Sequence, residues 1–577
     1  MLKDKIKSLL PIGVADNIYK VKLLLLYGGV AENIYNWKPL QTELAKAVAA
    51  IRATIQKSEG KQLHVVLAMS VYWEQFINMY AVLAAALQLR GAKVSLLIDD
   101  GVLPASEKNL FVNGQHHLNK RWFDYLIIQK IFKPLDVTIF RYSDFITTAD
   151  RQASKQLATT INIAELKQYT PAGLAIGEHA LAGALRYFAK GTLDNEPDAD
   201  FVLRRYIEAA ELTKRATEHL LAEQKIDIAC FHHGIYVPQG IIGEVFRKNN
   251  VRVVNWNVAY REKCFIFSHT ETYHHSLMSE PVETWENLEL TPALDEKIST
   301  YLASRHRGSK DWISFNRAPQ EDIDKIRQQH QIDPAKPAIA LLTNVVWDAQ
   351  LHYRTNVFPN MIDWVLKTIT YFSKRPDLQL IIRIHPAECK GTIPSRQPMA
   401  AEIARAFPVL PKNIIVIRPE DSTSTYVVTS LCNAAIIFGT KTGVELVTTG
   451  LPTIVAGEAW IKNKGLTIDP ASEADYYAAL DTLPLTKLLD DATIQRAKRY
   501  AYHFFYRRMI PVQAIQPRQS IAFGLNIKHV SELLPKADPG LDVICRGILD
   551  GEPFIYSDER IAPPAESGKP SGWLDMR

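Results

Sequence analysis

The chain has 577 residues, too many for one ordinary core, and its make-up of 47% hydrophobic and 22% charged residues excludes general disorder. A net charge of only +5, with basic residues spread along the chain, argues against a nucleic-acid binder. Five widely spaced cysteines without a CxxC pair suggest neither a disulfide framework nor a zinc knuckle, and a reducing, cytoplasmic setting.

The N-terminal stretch MLKDKIKSLLPIG mixes Lys with Ile and Leu. It fits a solvated first helix, or a segment resting peripherally on the anionic face of an inner membrane. No run reaches the ~18 apolar residues of a spanning helix. Strand-like runs then alternate with helical patterns: LHVVLAM (63–69), KVSLLIDDG (93–101), IDIACFHHG (226–234) and VRVVNWN (251–257) in the first half. AIALLTN (338–344), LQLIIRIHP (378–386), NIIVIRP (413–419), NAAIIFG (433–439) and LPTIVAG (451–457) follow. Continuous apolar strands between helices mark parallel sheets covered on both faces. The polar stretch 304–322 is the best boundary, dividing the chain into domains 1–315 and 316–555, with a Pro/Gly-rich, disordered tail over 556–577. The expected architecture is two Rossmann-like doubly wound α/β domains facing a cleft, with chemistry just beyond the carboxyl ends of the strands.

In the first half, Asp99 and Asp100 end a strand before Gly101, where adjacent carboxylates raise each other's pKa and suit a general base; an Asx turn fits the same residues. Glu178 and His179 open a helix with Arg186 two turns on, and His233 ends a strand with His232. In the second half, Arg383 and His385 are two residues apart at a strand end, followed by Pro386, and suggest a phosphate or nucleotide clamp, or a surface Arg with a capping His. The segment 419–425 reads as Ser/Asp capping with some ligand contact.

The sequence FGTKTGVELV is not a P-loop, because Thr440 separates Gly439 from Lys441. Its setting is nonetheless that of an anion site. A strand ends, Thr440 and Thr442 offer hydroxyls, Gly443 admits close backbone approach, and a helix begins with Glu445 in its first turn, placed for a ribose diol. A T-x-x-E capping box from Thr442 to Glu445 is the alternative. No HExxH, GxSxG or GxGxxG motif is present, so neither a metal nor a dinucleotide cofactor is expected.

NVVWDAQ (344–350), FPNMIDWVLKTITYF (358–372), RIHPAE (383–388) and FGTKTGVELVTTGLPTIVAGEAWIKNKGLT (438–467), in that order, resemble the capsule polysaccharide biosynthesis family. GEHALAGALRYF (177–188), HHGIYVPQG (232–240) and VNWNVAYREKCFIFSHTETYHH (254–275) look similar to its larger members, so the resemblance covers about two-thirds of the chain. It implies a GT-B-like glycosyltransferase, related to transferases that use CMP-linked 3-deoxy-D-manno-octulosonate. By the resemblance, His385-Pro386 contacts the nucleotide, Thr440 and Thr442 the phosphate, and Asp99-Asp100-Gly101 supplies the base. The implied partners are a nucleotide sugar and a polysaccharide or glycolipid acceptor. Lys441 departs from the family, which has Ser or Thr between the two hydroxyl residues. A polyol-phosphate transferase, a sugar-nucleotide epimerase and a non-catalytic partner in polysaccharide assembly remain open alternatives.

Overall fold

The computed structural model describes residues 34–559 apart from 58–60, 71, 113, 118–121, 307–309, 313–318, 349–353, 392, 519–522 and 558. The N-terminal basic stretch, positions 307–309 and 313–318 of the polar stretch 304–322 and the tail beyond 559 lie outside the described residues.

Six strands of the first half are β1 (His64–Met69), β2 (Lys93–Ile98), β3 (Thr138–Arg141), β4 (Ile228–His232), β5 (Arg252–Val258) and β6 (Cys264–His269). The second half supplies β7 (Ala338–Leu342), β8 (Gln379–Arg383), β9 (Ile414–Ile417), β10 (Ala434–Ile437), β11 (Thr453–Val455) and β12 (Ile510–Pro511). They form a seven-stranded sheet in the order β3-β2-β1-β4-β5-β6-β12 and a five-stranded sheet in the order β9-β8-β7-β10-β11. The second sheet is wholly parallel, as is the β3-to-β5 part of the first. Five consecutive parallel strands therefore take the same order in both sheets, third-second-first-fourth-fifth. In each, the order reverses between the first and fourth strands.

Every residue of β1 is buried, as a strand covered on both faces requires. Val65, Leu67 and Met69 enter one core with the helix Glu74–Gln88. Val66 and Ala68 enter another, with the helices Ile176–Phe188 and Ala199–Glu223. In β7, Ile339 and Leu341 likewise face one core while Ala338, Ala340 and Leu342 face the opposite one. Both sheets are thus doubly wound, as expected from the sequence.

The domain limits differ from that reading at both ends of the second unit. The helix Pro292–Arg305 buries Ile298 and Tyr301 in the core beneath β7, on the second sheet's side. The chain then returns: after the helix Asp491–Tyr502 and a π-helical turn over His503–Arg507, β12 pairs antiparallel with β6. The helix Pro539–Asp550 places Leu541, Ile544, Cys545 and Ile548 in the first core. Its start is set by Asp538, which accepts the Gly540 and Leu541 N–H groups, and its end by left-handed Gly551. The stretch 510–555 therefore belongs to the first layer, and Phe554 and Tyr556 are packed against it rather than opening a disordered tail. Among the described residues no helix is long and apolar enough to cross a membrane.

Candidate functional site

In an open parallel sheet, ligands bind beyond the carboxyl ends of the strands where the order reverses. In the second sheet that point lies between β7 and β10. Asn344, just past β7, donates from Nδ2 to the Gly439 carbonyl, just past β10, at 3.4 Å. The loop Gly439–Lys441 leads into the helix Thr442–Thr448. Thr440 accepts the Thr442 N–H at 3.4 Å and donates to its hydroxyl at 3.2 Å, which brings both hydroxyls to the start of that helix. The T-x-x-E capping box is not formed: position 441 is the N-cap, without a side-chain capping bond, and Glu445 is engaged elsewhere.

His385 lies beside this loop, past β8. Its Nδ1 accepts the Ala387 N–H at 3.1 Å, which leaves the ring proton of the neutral imidazole on Nε2. Burial, and then the Lys441 and Arg383 charges, push its pKa down to about 3, so the ring is a neutral donor. Pro386 precedes the short helix Ala387–Lys390 and directs the chain away from the strand. Arg383 is not part of a clamp. It is 2% exposed, and its guanidinium donates to the Arg418 and Asp421 carbonyls. The two-residue alternation that places it with His385 holds only inside the strand, which ends at Arg383. Ser424 caps the helix Thr425–Ser430, as expected for the 419–425 segment.

Glu445 does not face a ligand either. It is 4% exposed and lies 3.0 Å from Arg305 Nε, accepts the Tyr426 hydroxyl at 2.5 Å, and has Lys441 Nζ at 3.5 Å. Arg305 also pairs with Asp311, and the Tyr301 hydroxyl donates to Asp311 at 2.7 Å. Burial pushes the Glu445 pKa up, but the Arg305 and Lys441 charges prevail and hold it below the usual carboxylate range. Lys441 is thereby accounted for within this network. Its ammonium lies between Glu445 and the Tyr260 ring, 4.7 Å from the ring centroid, at the seam with the first sheet. Burial and Arg305 lower its pKa, so an anion arriving there would stabilise its charged form.

Gly443 serves packing rather than ligand approach. A Cβ there would lie 2.5 Å from Ile437 Cδ1 and 3.0 Å from Ile461 Cγ2. Gly443→Ala is expected to cost about 1–3 kcal/mol through overpacking, read as a lower urea midpoint at unchanged m.

The corresponding reversal in the first sheet lies between β1 and β4, and His233 stands immediately past β4. It is left-handed at φ +67°, is followed by left-handed Gly234, and donates its N–H to the Trp256 carbonyl at 2.9 Å. Its buried Nδ1 has no hydrogen-bond partner, and burial together with His232 and Arg186 keeps the ring neutral. The ring packs 4.9 Å from Tyr236, whose hydroxyl crosses the seam to donate to Asp348 at 3.1 Å.

Asp99 is a turn residue. It is 3% exposed, and one carboxylate oxygen accepts the N–H groups of Gly101, Val102 and Leu103 at 3.0–3.3 Å, the Asx-turn alternative. Asp100 accepts the Ser143 N–H at 3.2 Å. Neither is brought to the seam by these contacts. Glu178 does reach it, lining a cavity of about 330 Å³ between the two layers. Glu244, Arg247 and Glu271 line the first-sheet side, and Arg354, Glu458 and Lys462 the other. This cavity adjoins the 439–443 loop, because the Glu458 carbonyl would lie 3.3 Å from a Cβ on Gly439.

Sequence reading assigned no role to Tyr236, Tyr260, Asp348 or Glu458. Their only signal is position, just past apolar runs and inside the blocks that carry the family resemblance. Among the described residues no group of three or more His, Cys, Asp or Glu side chains is placed to hold a metal, and no disulfide joins the cysteines.

No family model matches the chain, and no curated protein matches it. Among solved structures it is similar to the KpsC β-Kdo 2,4 transferase of Thermosulfurimonas dismutans: 13% identity over 48% of this chain and 79% of that one, TM-score 0.32. It is also similar to a trehalose 6-phosphate synthase of Burkholderia multivorans, at 9% identity over 76% and 95%, TM-score 0.29. A sucrose-phosphate synthase of Thermosynechococcus elongatus aligns at 12% identity over 76% and 94%, TM-score 0.26. At these scores the likenesses carry no functional argument, and the architecture rests on the strand orders themselves.

Proposed function

We propose that the chain is a glycosyltransferase that moves a sugar from a nucleotide-activated donor, CMP-linked donors among them, to a polysaccharide or glycolipid acceptor. The supporting observation is the arrangement at the second sheet's reversal point. The segment Gly439–Thr442 with the Thr440 and Thr442 hydroxyls, the Lys441 ammonium and a neutral His385 with its proton on Nε2 converge beside a seam with a second doubly wound layer. In this reading the loop seats the phosphate, Lys441 balances its charge, and His385 donates to the nucleotide. Charge developing on the departing nucleotide falls on the same groups. His233, neutral and with an unpartnered Nδ1, is the group in the first layer able to accept the acceptor hydroxyl's proton. Glu178, at the rim of the inter-layer cavity, is the carboxylate available for the same role.

The test is a thermal-shift panel of CMP, CDP, UDP and GDP. A ligand at 100 times its Kd should stabilise the fold by about 2.7 kcal/mol, a clear rise in Tm. A rise with CMP alone selects the CMP-linked donors, and no rise with any nucleotide contradicts the transferase reading.

A further inference from the structure

Three buried side chains of the first layer carry polar atoms with no hydrogen-bond partner, and two of them flank one tyrosine. Arg186 is 9% exposed with Nη1 unpartnered, Gln239 is 0% exposed with Oε1 unpartnered, and His233 is 9% exposed with Nδ1 unpartnered. The Arg186 guanidinium lies 5.3 Å from the Tyr236 ring centroid, and the His233 ring is 4.9 Å from that of Tyr236. Gln239 Nε2 donates to Glu107, whose other oxygen is 4.0 Å from Arg186 Nη2, so one carboxylate links the amide and the guanidinium. Trp347 roofs the group from the second layer, 5.8 Å from Arg186, next to the Tyr236–Asp348 bond. Buried polar atoms are almost always paired, so several orphans in one place call for a missing partner.

The chemistry of the group narrows that partner. A guanidinium offers a donor, an amide carbonyl an acceptor, and an imidazole nitrogen either role according to its tautomer. Glu107 already opposes the Arg186 charge, so no excess cation awaits an anion. A carboxylate or phosphate would leave Gln239 Oε1 unmatched and would meet Glu107 and Asp348 as like charges. Hydroxyl groups, each donor and acceptor at once, match the set, and Tyr236 and Trp347 offer ring faces for the C–H side of a pyranose. We propose that Arg186, Gln239 and His233 form a subsite for a neutral, hydroxyl-rich sugar unit, the terminal residue of the acceptor, entered when Trp347 and Asp348 separate from Tyr236. The identification as acceptor rests on the glycosyltransferase reading.

The test uses the full chain with 15N-labelled histidine rings, His233 being assigned by His233→Gln. It is titrated with the methyl pyranosides of glucose, galactose and mannose, and with methyl glucuronoside as the charged counterpart. A neutral glycoside should move the His233 Nδ1 signal saturably. Gln239→Leu and Arg186→Met should each weaken that binding about fivefold while leaving the nucleotide-induced Tm rise intact; a fivefold loss is the central value for one hydrogen bond. The wild-type titration decides the matter even if a variant fails to fold. The subsite is overturned if no neutral glycoside moves the signal, or if the glucuronoside binds as tightly as its neutral counterpart. Nucleotide binding without any glycoside response removes the subsite alone, whereas loss of both removes the transferase reading with it.

Discussion

Arg305→Met is expected to lower the unfolding free energy by about 3–5 kcal/mol, the cost of leaving a buried charge without its partner. Arg305 is 3% exposed at its side chain and is shared by Asp311 at 5% and Glu445 at 4%. Methionine fills a similar volume, so the loss is electrostatic rather than a cavity. Lys441, 3.5 Å from Glu445, is the remaining cation for that carboxylate, and it stays partly open to solvent. The measurement is urea unfolding with m compared between the two proteins. An unchanged midpoint would show that the network contributes nothing. Glu445→Gln keeps the hydrogen-bond acceptor for Tyr426 and should cost less. Because Glu445 points into this network, that variant should still be stabilised by nucleotide.

A second large effect is expected at Glu280, where the chain crosses back between the layers. His503 Nε2 lies 2.9 Å and Arg508 Nη1 3.3 Å from its carboxylate, while Lys464 Nζ donates to the Glu280 and Met278 carbonyls at 2.6 and 3.0 Å. Burial pushes its pKa up, but Arg508 and His503 overcome this and hold it at about 2, against 4.5 for an unhindered glutamate. A depressed carboxyl contributes stability that is fully present above its unfolded pKa and is lost as pH falls through the folded one. The shift corresponds to about 3 kcal/mol, present above pH ~4.5 and lost toward pH 2. His503 acts in the same direction at higher pH. Burial outweighs the opposing pull of Glu280 and lowers its pKa, so acid begins to cost stability below about pH 6.5. Glu280→Gln should lose about 3–5 kcal/mol at neutral pH and flatten the acid limb below pH 4.5. Unfolding curves at a series of pH values check both, and a variant with the wild-type acid limb would place the titration elsewhere.

The nine apolar runs read from the sequence all appear as strands, because parallel strands buried on both faces need continuous apolar residues. Two further strands of the first sheet lack that signature: Thr138–Arg141 lies at an edge and is only partly buried, and Ile510–Pro511 is two residues long. Cys264–His269 carries it, buried over Cys264–Ser268, but pairs antiparallel with β5. Strand order, and with it the equivalence of the two reversal points, is not encoded in periodicity. The return of 510–555 to the first sheet is a long-range pairing that no local composition marks.

The proposed site was legible to the extent that it lies in loops after strands. Thr440, Thr442, Lys441, His385 and His233 stand at or beside the two reversal points. Arg383, Glu445 and Gly443 each have a structural partner that local sequence does not reveal, whereas Asp99 takes the Asx-turn alternative that its sequence offers. Glu445 is paired with Arg305, Arg383 with the carbonyls of another loop, Gly443 with Ile461, and Asp99 with its own turn. A polar residue after a strand is a site candidate only while its hydrogen bonds are unspent, and that accounting needs three dimensions.

Calorimetric binding of the nucleotide that stabilises the wild-type chain, repeated on Thr442→Val, tests the phosphate seat most directly. Loss of one hydrogen bond to a charged phosphate is worth about 1.5–3 kcal/mol, so affinity should fall at least about tenfold with the fold intact. Unchanged affinity in the variant would place the phosphate elsewhere and contradict the assignment of Gly439–Thr442.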